Sequence, residues 1–195
     1  MAKDSRNEAN ITFMRRAGYL LTLAPAVFLV DFISKKLIQR TMVPYGETVP
    51  LIEGVARLRF IYNEGIAFGL HPGPFSGWLL IFISLAVTLT LIWYILFSGY
   101  NDISGLIGLC LITGGACGNL YDRIAFGQVV DFIEIGIREL TWPIFNVADM
   151  AVTCGAALLA LRLFFHNPAP GGQDSGKTSP GEPEASPAVR SGDAQ

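Results

Sequence analysis

Histidine is almost absent from this chain of 195 residues, which carries only His71 and His166. No His-Glu-x-x-His run is available to hold zinc, and no Ser-His pairing can be placed on facing helices. Cysteine is nearly as scarce. Cys110, Cys117 and Cys154 follow no metal-ligand spacing and fall in apolar stretches, where they read as small buried hydrophobes. Charged residues make up only 15%, with a formal net charge of −2, so nothing in the balance invites nucleic acid. No internal repeat is visible.

Hydrophobic residues make up 51% of the chain and are gathered into runs. A hydrocarbon core of roughly 30 Å takes about 20 helical residues to cross. Residues 17–33, 78–97, 103 to about 120 and 144–165 meet that requirement and predict an α-helical membrane protein with four transmembrane helices. An even number of crossings places both termini on one side. Lys3, Arg6, Arg15 and Arg16 precede the first run, and the link between the second and third has no basic residue, which predicts cytosolic termini. Lys35, Lys36, Arg40, Arg57 and Arg59 between the first two runs pull the other way, but the first helix usually sets topology. That helix lacks the small-residue pattern of a signal-peptide cleavage site, so it reads as retained.

The link after the first helix is too long for a simple turn and contains an alternating stretch over 55–62. Ala56, Leu58, Phe60 and Tyr62 would share one strand face, with Arg57 and Arg59 on the other. A small extracytosolic β element between helices one and two is therefore expected, with Pro44, Gly46, Pro50 and Gly54 as turn residues. Residues 131–137 are too short to span and read as a strand beside it. After residue 166 the sequence turns to Pro, Gly, Ser and Ala, so 1–166 reads as the membrane domain and 167–195 as a disordered polar tail.

Carboxylates are expensive in apolar membrane sequence, which makes Asp131 and Asp149 the strongest chemical clue. Asp149 and Asn146 are three apart at the start of the fourth helix and share a face; Asp131 sits in the loop leading to it. The spacing alone leaves proteolysis, ion or proton transport, and plain helix-helix hydrogen bonding all open. Asp31 and Lys35 are four apart and read as an end-of-helix ion pair, with Lys35 reaching toward the headgroups. Ser34 does not pair with Lys35 as a nucleophile, because adjacent helical residues point about 100° apart. Asn63 opens a Gly-containing stretch that is a turn on its face, although its amide could hold a peptide group. The run 114–123 has the small residues of close helix packing, with Asn119 and Arg123 on one face and Asp122 in a structural role.

Taken in order, Asp31-Phe-Ile-Ser34-Lys35, Asn63-Glu-Gly65-Ile-Ala67-Phe68, Gly114-Gly115-Ala-Cys-Gly118-Asn119-Leu-Tyr-Asp122-Arg123, Gly127-Gln-Val129-Val130-Asp131-Phe132 and Phe145-Asn146-Val-Ala-Asp149 resemble the lipoprotein signal peptidase family, also called signal peptidase II. The resemblance implies a multi-pass aspartic endopeptidase of the bacterial plasma membrane. Its substrate would be a diacylglyceryl-modified prolipoprotein, cut at an active site on the extracytosolic face. The family's catalytic dyad falls on Asp131 and Asp149. Its substrate-binding or dyad-supporting positions fall on Asn63, Asn119, Arg123 and Asn146, with Asp31 and Lys35 as structural support. No metal or organic cofactor is implied; the expected partners are substrate and membrane lipids, with the chain acting as a monomer. The polar tail departs from the pattern, since many members stop soon after the last helix.

Overall fold

The computed structural model describes residues 2–65, 76–137 and 140–165, with side chains from residue 12 onward apart from Ser76. The elements follow in the order α1 (Ala2–Thr41), β1 (Val49–Ile52), β2 (Ala56–Asn63), α2 (Ser76–Phe97), α3 (Ile103–Phe126), β3 (Val129–Ile137), β4 (Leu140–Thr141) and α4 (Val147–Phe165). Thr12–Thr41, Gly77–Phe97, Ile103–Phe126 and Val147–Phe165 are each long and apolar enough to cross a membrane, as expected. The expected tail, the stretch 66–75 and both histidines lie outside the described residues.

The third helix is the axis of the bundle. Within the spans, 56% of the α3 window is buried inside the protein, against 17% for α1 and 11% each for α2 and α4. The other three turn large apolar side chains outward, among them Leu21, Ile33, Phe82, Trp93 and Leu163, a surface suited to hydrocarbon. Small residues let α3 sit this deep: a Cβ on Gly114 would meet Ala24 O at 2.7 Å, and one on Gly108 would meet Gly155 O at 2.9 Å. These are backbone-to-backbone approaches, the kind that small-residue helix faces permit.

The ends of α1 and α3 differ from the sequence expectation for one reason. Asp31 and Lys35 do not end α1, which continues to Thr41, and Asn119, Asp122 and Arg123 do not end α3, which continues to Phe126. Their polar side chains turn toward one another inside the bundle, so the backbone stays helical through them. Gly127 closes α3 in the left-handed region at φ 73°, its N–H donating to Arg123 O at 3.0 Å. The fourth helix starts at Val147 rather than 144, because Phe145 is held in a backbone bridge to Ile133 of β3.

The strands form one antiparallel sheet in the order β1-β2-β3-β4. β3 lies beside β2 as expected of residues 131–137, and the short β4 from the same link extends the sheet beyond the expectation. Phe60, Val130 and Phe132 pack its inner face on Ile38 of the α1 extension, with Leu58 and Tyr62 around them. Arg57 and Arg59 face away and meet Glu134 at 2.6 and 3.4 Å. A bulge in β2 shifts the register so that Ile61 pairs with Asp131. Asn63, two residues farther on, therefore lies on the same face as Asp131.

Candidate active site

The sheet and the adjacent ends of α1, α3 and α4 converge on Asp131 and Asp149. Asp131 is in β3 and 2% exposed; Asp149 is in the first turn of α4 and half-buried. Asn146, fully buried, joins them. Its Nδ2 donates to Asp131 Oδ1 at 2.7 Å, its backbone N–H donates to Asp149 Oδ2 at 3.2 Å, and its Oδ1 accepts from Asp149 N at 3.0 Å. The last two bonds are the reciprocal arrangement of a capping box, so the residue that starts α4 also sets one carboxylate against the other.

Two further amides complete the set. Asn63 Nδ2 donates to Asp131 Oδ2 at 2.9 Å, and Asn119 Nδ2 donates to Asp149 Oδ1 at 2.7 Å. Each of the four carboxylate oxygens thus has an N–H donor. Asn63 is itself fixed by Gly65 N, which donates to its Oδ1 at 3.0 Å. Burial is the main cause that pushes the Asp131 carboxyl up to about 6, and the charge of Asp149 adds to it; the amides of Asn63 and Asn146 oppose the rise.

Arg123 is half-buried, and its Nη1 reaches Asn119 O at 3.4 Å, a long bond. Its guanidinium stands within electrostatic reach of Asp149, Asp131 and Asp122. It also lines a cavity of about 370 Å³ with Gly77, Trp78 and Ile81 of α2 and Ile124 and Gly127 at the end of α3. Arg123 is thus the one charged group on a mostly apolar cavity wall among the described residues. Among the described residues no group of three His, Cys, Asp or Glu side chains is placed to hold a metal ion.

The expected ion pair of Asp31 and Lys35 forms at 2.7 Å, but not as an interfacial anchor. Lys35 is 3% exposed and points into the bundle, where it also meets Asp122 at 3.0 Å. The snorkelling expected of it is overturned, because the carboxylates and amide it can reach lie inward rather than at the surface. Asp122 is the residue the sequence reading undervalued; it lies three after Asn119, a spacing that puts both on one helix face. Cys110 is buried as expected, whereas Cys154 is exposed on the outer side of α4.

A family model described as Signal peptidase (SPase) II matches residues 23–165. The chain belongs to the signal peptidase II family. It is 40% identical over 161 residues to the lipoprotein signal peptidase of Aquifex aeolicus (strain VF5), covering 80% of this chain and 93% of that one. Over 141 residues it is 43% identical to the lipoprotein signal peptidase of Halothermothrix orenii, covering 71% and 90%. Among solved structures, a bacterial membrane enzyme determined in meso at 2.3 Å resolution superposes with a TM-score of 0.68 at 27% identity, covering 76% of this chain and 88% of that one. The chain is a multi-pass membrane protease of that family; nothing in these relatives supports a transporter.

Proposed function

We propose that this chain is an aspartic endopeptidase that removes the signal peptide from diacylglyceryl-modified prolipoproteins, cutting immediately before the lipidated cysteine. The observation that carries the reading is Asn146, whose amide and backbone hold Asp131 and Asp149 in one hydrogen-bonded unit. Two carboxylates so placed in a poorly solvated site share one proton and titrate as a pair. In the reacting form Asp131, whose neutral state burial favours, carries that proton. Asp149, at the positive end of α4, takes a proton from water as the water attacks the scissile carbonyl. Asp131 polarises that carbonyl oxygen, and the proton on Asp149 then passes to the leaving amine.

Asn63, Asn119 and Asn146 orient the pair, and Arg123 faces the cavity between α2 and α3 through which an acylated segment could approach from the lipid. The sheet lies beside the pair on the extracytosolic side, and both termini are cytosolic. The enzyme acts as a monomer on prolipoprotein and membrane lipids, with no metal or cofactor. Purified protein incubated with a lipidated prolipoprotein should release the signal peptide; ion flux without cleavage would sink the reading. Reporter fusions within 46–65 should report extracytosolic and fusions after Phe165 cytosolic. The reverse would put the site on the wrong side for an exported substrate.

A further inference from the structure

Lys35 has three partners, and each leads to one of the two aspartates. Its ammonium lies 2.7 Å from Asp31 Oδ2 and 3.0 Å from Asp122 Oδ2, and it donates to Asn119 Oδ1 at 3.0 Å. Asp31 Oδ1 accepts from Ala148 N at 2.8 Å, one residue before Asp149. Asp122 Oδ2 accepts from Val130 N at 3.2 Å, one residue before Asp131. Asn119 bonds Asp149 directly. The strand bearing one aspartate and the helix bearing the other are thus tied, by their adjacent backbone N–H groups, to a single cation on α1.

The cation also fixes direction. An amide side chain presents an acceptor at one end and donors at the other, and either end could face a neighbour that both donates and accepts. An ammonium only donates, so Asn119 must turn its oxygen to Lys35 and its NH₂ to Asp149. The same oxygen accepts from Asn146 Nδ2 at 3.1 Å, and this NH₂ group also donates to Asp131. Both amides are left aimed as donors at the carboxylates.

From this geometry we infer that Lys35 is a positioning residue for the Asp131–Asp149 pair: it fixes the spacing of the two backbones and the donor polarity of Asn119 and Asn146. The inference rests on the aspartic reading above. Gly118 makes room for the arrangement, since any Cβ there would collide with Asp31 Oδ2. The charged groups facing the pair are Lys35 and Asp31 from α1 and Asp122 and Arg123 from α3. Removing the cation takes away a charge that favours the ionised carboxylates, so both limbs of the pH profile should move up.

The test is turnover of a lipidated prolipoprotein by purified Lys35→Met, which keeps the stem and loses the donor, with kcat and KM measured across pH. The expected result is a kcat about 10- to 100-fold lower, KM within about twofold, and a pH profile displaced upward by about half a unit or more. Because Lys35→Met leaves two buried carboxylates unpaired, the Asp31→Asn/Lys35→Met/Asp122→Asn protein, with all three charges removed, is made alongside and should show the same kcat loss even if the single variant does not fold; it loses one net negative charge, so its pH profile should not share the upward displacement. A folded Lys35→Met protein with a wild-type pH profile, or a folded triple variant whose kcat per folded molecule is that of wild type, overturns the inference. Asp131→Asn and Asp149→Asn are run in parallel. If they are inert while the Lys35 variants behave as wild type, only the positioning role fails; if either still turns over, the aspartic reading fails and takes the inference with it.

Discussion

Two helices of this bundle start with the same device at opposite ends of the membrane, and only one start has become a candidate site. Asp102 caps α3: its Oδ2 accepts from Gly105 N at 2.8 Å and from Ser104 Oγ at 2.7 Å, and it pairs with Arg162 of α4 at 2.9 Å. Asn146 and Asp149 cap α4 in a comparable way. The bonds to Ser104 and Gly105 hold the part-exposed Asp102 carboxyl below the usual carboxylate range, so it stays a plain anion. At the other end a second carboxylate, Asp131, is buried beside the cap and its carboxyl is pushed up to about 6. Capping chemistry alone makes a helix start. Burial and a second acid in contact with the cap turn one into a place where a proton can be shared.

The sharpest way to break this contrast is to neutralise one acid at a time. Asp131→Asn and Asp149→Asn should each lower turnover of a lipidated prolipoprotein by about 10²–10⁴-fold or more, with insertion preserved. The double variant should be hardly worse, since the two act as a unit. Additive losses would mean two independent roles.

A smaller effect is expected from packing next to the site. Gly118→Ala drives a methyl into Asp31 Oδ2, displacing the acceptor of Ala148 N beside Asp149. The cost should be about 1–3 kcal/mol of stability, with turnover reduced but not abolished. Thermal unfolding and kinetics in one detergent check both halves, and an unchanged melting temperature would show that Asp31 relaxes freely.

The raised carboxyl makes a signed claim about pH. Asp131 has a folded value of about 6 against an ordinary 3.8, so its contribution to stability is fully present below about 3.8 and is lost as pH rises through about 6. Asp131→Asn cannot ionise. Its stability relative to wild type should therefore rise between pH 4 and pH 7 by on the order of 1–3 kcal/mol, read as a melting-temperature difference that grows across that window. A flat difference across that window would place the titration elsewhere.

The smallest effect on turnover belongs to the other helix start. Asp102→Ala should lower the melting temperature modestly through the lost cap and leave kcat and KM as they were. A loss of turnover there would dissolve the distinction between the two ends.

Legibility in the sequence followed the range of the interactions. Four spans were readable because twenty-residue apolar runs have one cheap solution in a membrane, and β2 because its alternation is local. Asp131, Asp149 and Asn146 stood out because each is polar where polarity is expensive. The ends of α1 and α3 were misjudged for the same reason: Asp31, Lys35, Asn119 and Asp122 looked like helix termini when taken one at a time. Their partners lie as far as 117 residues away in the chain, as Asp31 and Ala148 do, and no periodicity carries that pairing.

What the chain determined by itself is the membrane class, the number of crossings and the residue types able to do acid chemistry, since these depend on hydropathy and on the cost of single polar groups. Tertiary structure decided the rest. It placed Asn63 beside Asp131 through a one-residue bulge and turned Lys35 inward instead of toward the headgroups. Each of these outcomes satisfies a buried polar group with a partner from a distant segment, and only the folded chain brings such partners within hydrogen-bond reach.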